Sequence, residues 1–316
     1  MRWMVILIAE PIFVMMVGLP GSGKSTHAEK LSERINATIH SSDALREELT
    51  GDINNQNNNE LVFQTLHKRI KEDLINGKNC IYDACQVKRK DRMSFLQQLN
   101  KIPCRKICVL MATKYEYCVE RCQTRDRKVP EFVVERMYKK FDPPYWYEGW
   151  DDINIVYDTK SVNSNDLPVR WLDEVEKFDQ ENSHHSLTLG QHCRNAWQYI
   201  CQTYAEPDKH FPLRIATILH DCGKPFCKTF KNSKGEVTEQ AHYYSHEHTG
   251  SYDSLFYVML CNPLDVAVLI RWHMQPYFWE KDSLNGEKTM NKYKKLWGDE
   301  LFEQIMKLHE ADKKAH

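Results

Sequence analysis

The chain has 316 residues, 41% of them apolar, which is enough to pack a core in each of two ordinary domains. With 43 Lys and Arg against 44 Asp and Glu, the net charge is −1, so no global field draws the protein onto nucleic acid and any such contact must come from a local patch. The 11 cysteines include no Cys-x-x-Cys pair, and the spacings Cys104/Cys108 and Cys118/Cys122 suit packing better than zinc, so a reduced, cytoplasmic protein is expected.

The apolar stretch from Met1 to Val17 is interrupted at Glu10-Pro11 and carries no cleavage site. It therefore reads neither as a signal peptide nor as a membrane span. Residues 12–17 are expected to form a buried first strand, and residues 1–10 take no assigned role. From residue 12 to about residue 158, short apolar runs at 12–17, 37–40, 79–83, 105–110 and 153–157 alternate with helical stretches. That alternation is the pattern of an α/β domain whose parallel sheet is covered by helices.

Between the first strand and the amphipathic run Thr26 to Ile35 lies Gly18-Leu-Pro-Gly-Ser-Gly-Lys-Ser-Thr26, a match to G-x-x-x-x-G-K-[ST] in its proper strand–loop–helix setting. The glycines let backbone N–H groups close around a β-phosphate, Lys24 brings a point charge to the β and γ oxygens, and Ser25 can ligate Mg²⁺. Gly21, Ser22, Gly23, Lys24, Ser25 and Thr26 are thus the candidate contacts to ATP or GTP.

After the second strand comes Ser41-Ser42-Asp43-Ala44-Leu45-Arg46. An aspartate there can take the proton of an attacking hydroxyl, with the arginine holding an anionic group on the acceptor, although the aspartate also suits a cap on a helix over 44–49. The asparagine-rich run 54–59 reads as a mobile surface loop. Asp83 closes the strand Cys80-Ile-Tyr-Asp83 as a Walker-B-type acid or a second acceptor-site group. Arg121, Arg125 and Arg127 precede Val129-Pro130, where proline should start a helix. Residues 121–140 hold seven Lys or Arg against three Asp or Glu, the local patch that the net charge conceals. The aromatic run Pro144 to Trp150 suits base stacking or, better, packing at a domain hinge.

Residues 12–157 resemble the polynucleotide 5′-hydroxyl kinase branch of the P-loop phosphotransferases, through GLPGSGKST, SSDALR, IYDA and the segment ERCQTRDRK with VPEFVVERMYKKF. The resemblance implies Asp43 as general base, Arg46 and Asp83 at the acceptor site, and one of Arg121, Arg125 and Arg127 on the ATP phosphates, with Arg121 and Arg125 foremost.

Around residues 159–166 the composition turns polar, and the boundary is expected at residue 160, with domains over 1–160 and 161–316. Downstream patterns are helical: Cys193, Ala196, Trp197, Ile200, Cys201 and Tyr204; Val266, Leu269 and Ile270; Leu301, Ile305 and Leu308. An all-α second domain is expected. Its histidines are the telling feature. His220-Asp221 ends an apolar helix stopped by Gly223 and Pro225, where both side chains can reach one divalent ion. His273 and Asp312 continue inward-facing stripes, and a buried aspartate needs a cation or several donors.

With His192 and His246, the order H…HD…H…H…D over residues 184–316 resembles the HD-superfamily metal-dependent phosphohydrolases, most specifically in HDCGKP and SHEHTGS. That resemblance implies His192, His220, Asp221 and Asp312 around one metal, His246 and His273 around a second, Asp221 bridging, and Lys224 on the substrate phosphate. Imidazole and carboxylate accept Mn, Fe, Co, Ni or Zn. His184, His185, His242 and His248 are spare, with His242 an alternative to His246.

Adding phosphate and removing it would cancel on one substrate but complement each other on two ends of a broken strand. The sequence thus suggests an enzyme that heals RNA or DNA ends, with a separate ligase sealing in trans and no membrane partner. The competing expectations are a small-molecule kinase fused to a nucleotide phosphohydrolase, or a kinase regulated by a non-catalytic second domain.

Overall fold

The computed structural model describes residues 10–163, 165–182, 186–204, 206, 210–257 and 262–315. The chain divides into two compact units, and it does so by exchange rather than at one boundary. Residues 1–129 and 148–158 belong to the first unit, and residues 130–147 and 159–316 to the second. This differs from the single break expected at residue 160. The polar turn there is real, but the helix after Pro130 packs its buried Val134 and Tyr138 with the later unit.

The first unit is a five-stranded parallel sheet in the order β2-β3-β1-β4-β5. Its strands are β1 (Ile12–Val17), β2 (Ala37–Ser41), β3 (Asn79–Asp83), β4 (Arg105–Ala112) and β5 (Asp152–Tyr157). They fall where the apolar runs put them; the inner strands β1, β3 and β4 are buried and mostly apolar, as strands covered on both faces are, whereas the edge strands β2 and β5 are only partly buried. Five helices serve the crossovers: α1 (Lys24–Ile35), α2 (Ser42–Thr50), α3 (Asn59–Ile75), α4 (Arg89–Gln98) and α5 (Tyr115–Thr124). Val14, Met16, Ala28, Ile81, Val109 and Met111 form one core cluster. Because all five strands run the same way, their carboxyl ends collect on one edge, where ligands bind in open α/β sheets.

The second unit is mainly helical. It comprises α6 (Glu131–Tyr138), α7 (Pro168–Glu174), α8 (Leu189–Thr203), α9 (Phe211–Leu219), α10 (Lys224–Cys227), α11 (His246–Tyr257), α12 (Pro263–Trp272), α13 (Gln275–Lys281), α14 (Gly286–Trp297) and α15 (Asp299–Lys314). It is not purely α: β6 (Thr229–Lys231) and β7 (Val237–His242) pair antiparallel around a turn at Asn232–Gly235. That hairpin is largely exposed, so it offers no apolar alternation to read. Cys193, Ala196, Ile200, Leu213, Ala216, Val266, Leu269, Ile270, Ile305 and Leu308 make the core, as the helical stripes require. Thr188 and Gln191 close a reciprocal capping box that fixes the start of α8, four residues ahead of His192. Among the described residues no helix is long and apolar enough to cross a membrane.

Candidate functional site

In the first unit the phosphate loop joins β1 to α1. Gly21 adopts φ +80°, and a Cβ there would stand 2.4 Å from the Cys118 carbonyl, so no side chain fits the turn. The Lys24 ammonium donates to the loop carbonyls of Gly18 (3.1 Å) and Leu19 (2.7 Å). Ser22 Oγ is buried with no partner among the described residues, while Ser25 and Thr26 stand exposed at the start of α1. Ser25 Oγ donates to Asp83 Oδ2 at 2.7 Å. A hydroxyl on a strand-end carboxylate is the arrangement that holds Mg²⁺ beside a P-loop. That contact is the one the Walker-B-type reading of Asp83 calls for.

Asp43 lies in the first turn of α2, but the cap is Ser41, whose hydroxyl accepts from the Ala44 N–H. The Asp43 carboxylate is held by two arginines. Arg46 donates to Oδ1 at 2.8 Å, and Arg127 makes a close pair with Oδ2. Arg46 is 4% exposed, donates also to Asn59 Oδ1 (2.9 Å), and keeps its Nε without a partner among the described residues. Arg127 reaches Asn54 Oδ1 at 3.2 Å. Two asparagines of the run read as a surface loop thus position arginines. The sequence hides this, because asparagine also bonds locally in turns, as Asn55 does to the Asn57 N–H. Arg121 is paired with Asp158 (2.6 Å), and Arg125 is exposed at the end of α5.

In the second unit, six residues from five elements converge. His192 comes from α8, His220 and Asp221 follow α9, His246 opens α11, His273 ends α12, and Asp312 lies on α15. All six are buried. His192, His220 and Asp312 present ligand atoms to one point, and Asp221, His246 and His273 to another. Asp221 divides between them. Its Oδ2 lies 3.6 Å from His192 Nε2 and 3.4 Å from His220 Nε2, and its Oδ1 lies 3.3 Å from His246 Nε2 and 3.8 Å from His273 Nε2.

The ring tautomers explain what these nitrogens are for. His220, His246 and His273 each direct Nδ1 to a backbone carbonyl three residues back, of Thr217 (2.8 Å), Tyr243 (2.8 Å) and Ile270 (2.6 Å). A carbonyl only accepts, so Nδ1 carries a proton and each ring, when neutral, presents a lone pair at Nε2; burial opposes the charge of His220, but Asp221 raises its pKa well above the ordinary value, so a metal ion would have to displace the second proton of that ring. Burial, then the neighbouring His246 and His220, push the His273 pKa down to about 4, so that ring is neutral at pH 7. His246 Nε2 and His273 Nε2 nevertheless face each other at 3.3 Å. Facing lone pairs repel unless a cation lies between them, so this donor set fits a metal ion. Burial opposes ionisation of Asp221, but Lys224 and His220 overcome it and hold the carboxyl well below the usual carboxylate range. Burial likewise opposes the charge of Asp312, and its hydrogen bonds with His192 and His220 pull its pKa well down.

Three neighbours complete the cluster. Lys224 Nζ, the ammonium expected on a substrate phosphate, is buried and donates to Asp221 Oδ2 (2.7 Å) and to Gln180 Oε1 (2.8 Å). The Tyr277 hydroxyl donates to Asp312 Oδ2 at 3.1 Å. Gly223 packs so closely on α11 that a Cβ would stand 2.2 Å from the His246 carbonyl. Gln180 and Tyr277 carry no sequence signal, since nothing in their own spacing separates them from ordinary polar residues. His242 bonds Thr238 Oγ1 on the exposed hairpin (3.1 Å), and His248 bonds the Phe141 carbonyl (2.7 Å). His246 is therefore the one in the cluster, and His184 and His185 lie outside the described residues. The 10 described cysteines are free thiols.

The phosphate loop, the parallel order β2-β3-β1-β4-β5 and the Ser25–Asp83 contact are those of a P-loop kinase-like α/β fold, a class that uses ATP with Mg²⁺. Residues 13–144 match the family model described as AAA domain, AAA_33. The chain is 24% identical over 178 residues to the L-seryl-tRNA(Sec) kinase of Methanococcus maripaludis, covering 54% of this chain and 68% of that protein. Among solved structures it is similar to a candidate kinase from Chloroflexus aurantiacus, with 19% identity and a TM-score of 0.42 over 52% of this chain and 95% of that one. It is also similar to a chain of the Pnkp1/Rnl/Hen1 RNA repair complex, with 22% identity and a TM-score of 0.35 over 40% of this chain and 42% of that one. The six-residue cluster lies beyond the residues matched by the family model.

Proposed function

We propose that the chain heals broken RNA ends: the first unit phosphorylates a 5′-hydroxyl from ATP, and the second removes a 3′-phosphate or 2′,3′-cyclic phosphate with bound metal. The observation that carries the reading is the division of Asp221 between two histidine sets on the chain that also holds a kinase loop. Opposed phosphoryl chemistries are complementary on the two ends of a strand. RNA is favoured over DNA because the relative is named as a kinase of L-seryl-tRNA(Sec), whose acceptor is borne on RNA.

In the first unit, Asp43 takes the proton of the 5′-hydroxyl as its oxygen attacks the γ-phosphorus and ADP leaves. Arg46, with a buried Nε to spare, holds an anionic group of the acceptor. Lys24 and the loop amides bind the ATP phosphates, and Ser25 with Asp83 holds Mg²⁺. The exposed Arg125 neutralises charge on the transferring group. In the second unit His192, His220 and Asp312 would hold one divalent ion and Asp221, His246 and His273 another. Ions bound there would supply an activated water and a counter-charge for the phosphoryl oxygen. Lys224 and Tyr277 keep the two carboxylates oriented.

The test is a gel assay of an oligoribonucleotide bearing a 5′-hydroxyl and a 2′,3′-cyclic phosphate, given ATP, Mg²⁺ and Mn²⁺ or Ni²⁺. Lys24→Ala abolishes 5′ phosphorylation alone, and Asp221→Ala abolishes 3′ healing alone. If wild type alters neither end, the reading fails, and nucleosides and nucleotides become the substrates to screen.

A further inference from the structure

The second unit carries a cleft of about 560 Å³ lined by Phe132, Glu135, Arg136, Lys139 and Lys140 of α6 together with Ser245 and His248 at the start of α11. That volume is in the range of ligand pockets. Lys139 is paired with Glu135 (2.7 Å), which cancels that charge within the lining. Arg136 and Lys140 are exposed and have no acidic partner among the described residues. The cleft therefore presents two uncompensated cations. Beside them Phe132 is 65% exposed, an aromatic face of the kind on which bases stack.

The cleft and the metal cluster share one helical turn. Ser245 and His248 are three residues apart and line the cleft, whereas His246 between them turns its ring into the cluster. We infer that this cleft seats single-stranded RNA, with Arg136 and Lys140 on successive phosphates and Phe132 against a base, upstream of the 3′ end that enters the cluster. The identity of the strand rests on the end-healing reading; the cleft's recognition of a single-stranded polyanion does not. An acidic peptide would use the two cations but would leave the exposed ring unexplained.

The experiment is fluorescence anisotropy of an oligoribonucleotide of about 12 nucleotides, labelled at its 5′ end so that the acceptor site of the first unit is blocked, and 3′-hydroxyl so that it is not consumed. Wild type is compared with Arg136→Glu/Lys140→Glu and with the milder Arg136→Gln/Lys140→Gln over a range of salt. The charge-reversed pair is expected to bind at least about tenfold more weakly, and the Gln pair to lower the slope of log K against log salt by about 1.4, two contacts on a single strand. Both positions are exposed, so melting curves should superimpose and exclude misfolding. Equal affinity and equal slope in wild type and both variants, or no binding by wild type, would overturn the proposal. Binding lost in the variants without any reaction at RNA ends in wild type would leave the cleft standing and remove the end-healing reading.

Discussion

Asp43 shows how much a single carboxylate can be asked to do. It is held between Arg46 on its own helix and Arg127 on the segment after α5, so one guanidinium must let go of a carboxylate oxygen before that oxygen can accept a substrate proton. Asp43→Asn should lower the rate of 5′ phosphorylation by about 10²- to 10⁴-fold while leaving ATP binding intact, measured by kinase assay and nucleotide titration. Its nearest contrast is His67 on α3, which bonds the Tyr82 hydroxyl (3.0 Å) and stacks on Phe95. Burial, then Lys71, bring its pKa down from 6.5 to about 4. The unfolded chain then binds the proton first as the medium acidifies. The stabilisation is present above pH 6.5 and is lost as pH falls toward 4. The melting temperature should therefore decline more steeply across that window in wild type than in His67→Gln. Coincident slopes would mean that His67 carries none of the acid sensitivity.

Elements put these residues where they are, and some are more legible than others. All five strands were readable: β1, β3 and β4, inside the sheet, leave mostly apolar runs, while the edge strands β2 and β5 are only partly buried and show shorter ones. The six histidines and aspartates were readable as a set, because His273 and Asp312 prolong apolar stripes inward. Gln180 and Tyr277 were not, and Arg127 was singled out for the ATP phosphates rather than for Asp43, since a positioning residue is chosen by the neighbour that folding brings to it. Nor was the most deeply buried ion pair. Arg92 of α4 meets Glu148 through two bonds of 2.8 and 2.6 Å, both side chains are fully enclosed, and Trp150 donates to the same carboxylate. Arg92→Ala should destabilise the first unit by about 3–5 kcal/mol, because it leaves a buried carboxylate uncompensated. Replacing both partners by apolar residues should recover most of that loss in denaturant titrations. Gly223→Ala should instead loosen the second unit, as its methyl meets the His246 carbonyl and the Gly250 amide. Lower metal content by elemental analysis, along with a lower melting temperature, is the expected sign.

At the scale of the whole molecule, the end-healing reading assigns the two sites separate metals, so a chelator that strips transition metals should end 3′ healing while added Mg²⁺ sustains 5′ phosphorylation. The chain that carries them is not so separable. It leaves the first unit at Val129, contributes residues 130–147 to the second, returns for Glu148–Asp158, and departs again. The strip 130–147 is fastened in the second unit by Tyr138 to Asp253, Asp142 to Arg271, Tyr145 to Asp265 and Tyr147 to Trp272. The returning strand β5 closes the edge of the sheet. A scissors cut at residue 160 would therefore yield no intact half: the later fragment would lack the strip that plugs it, and the earlier would trail a basic helix with nowhere to dock. The two units are spliced like rope strands rather than joined like beads, so a simple truncation frees neither of them intact.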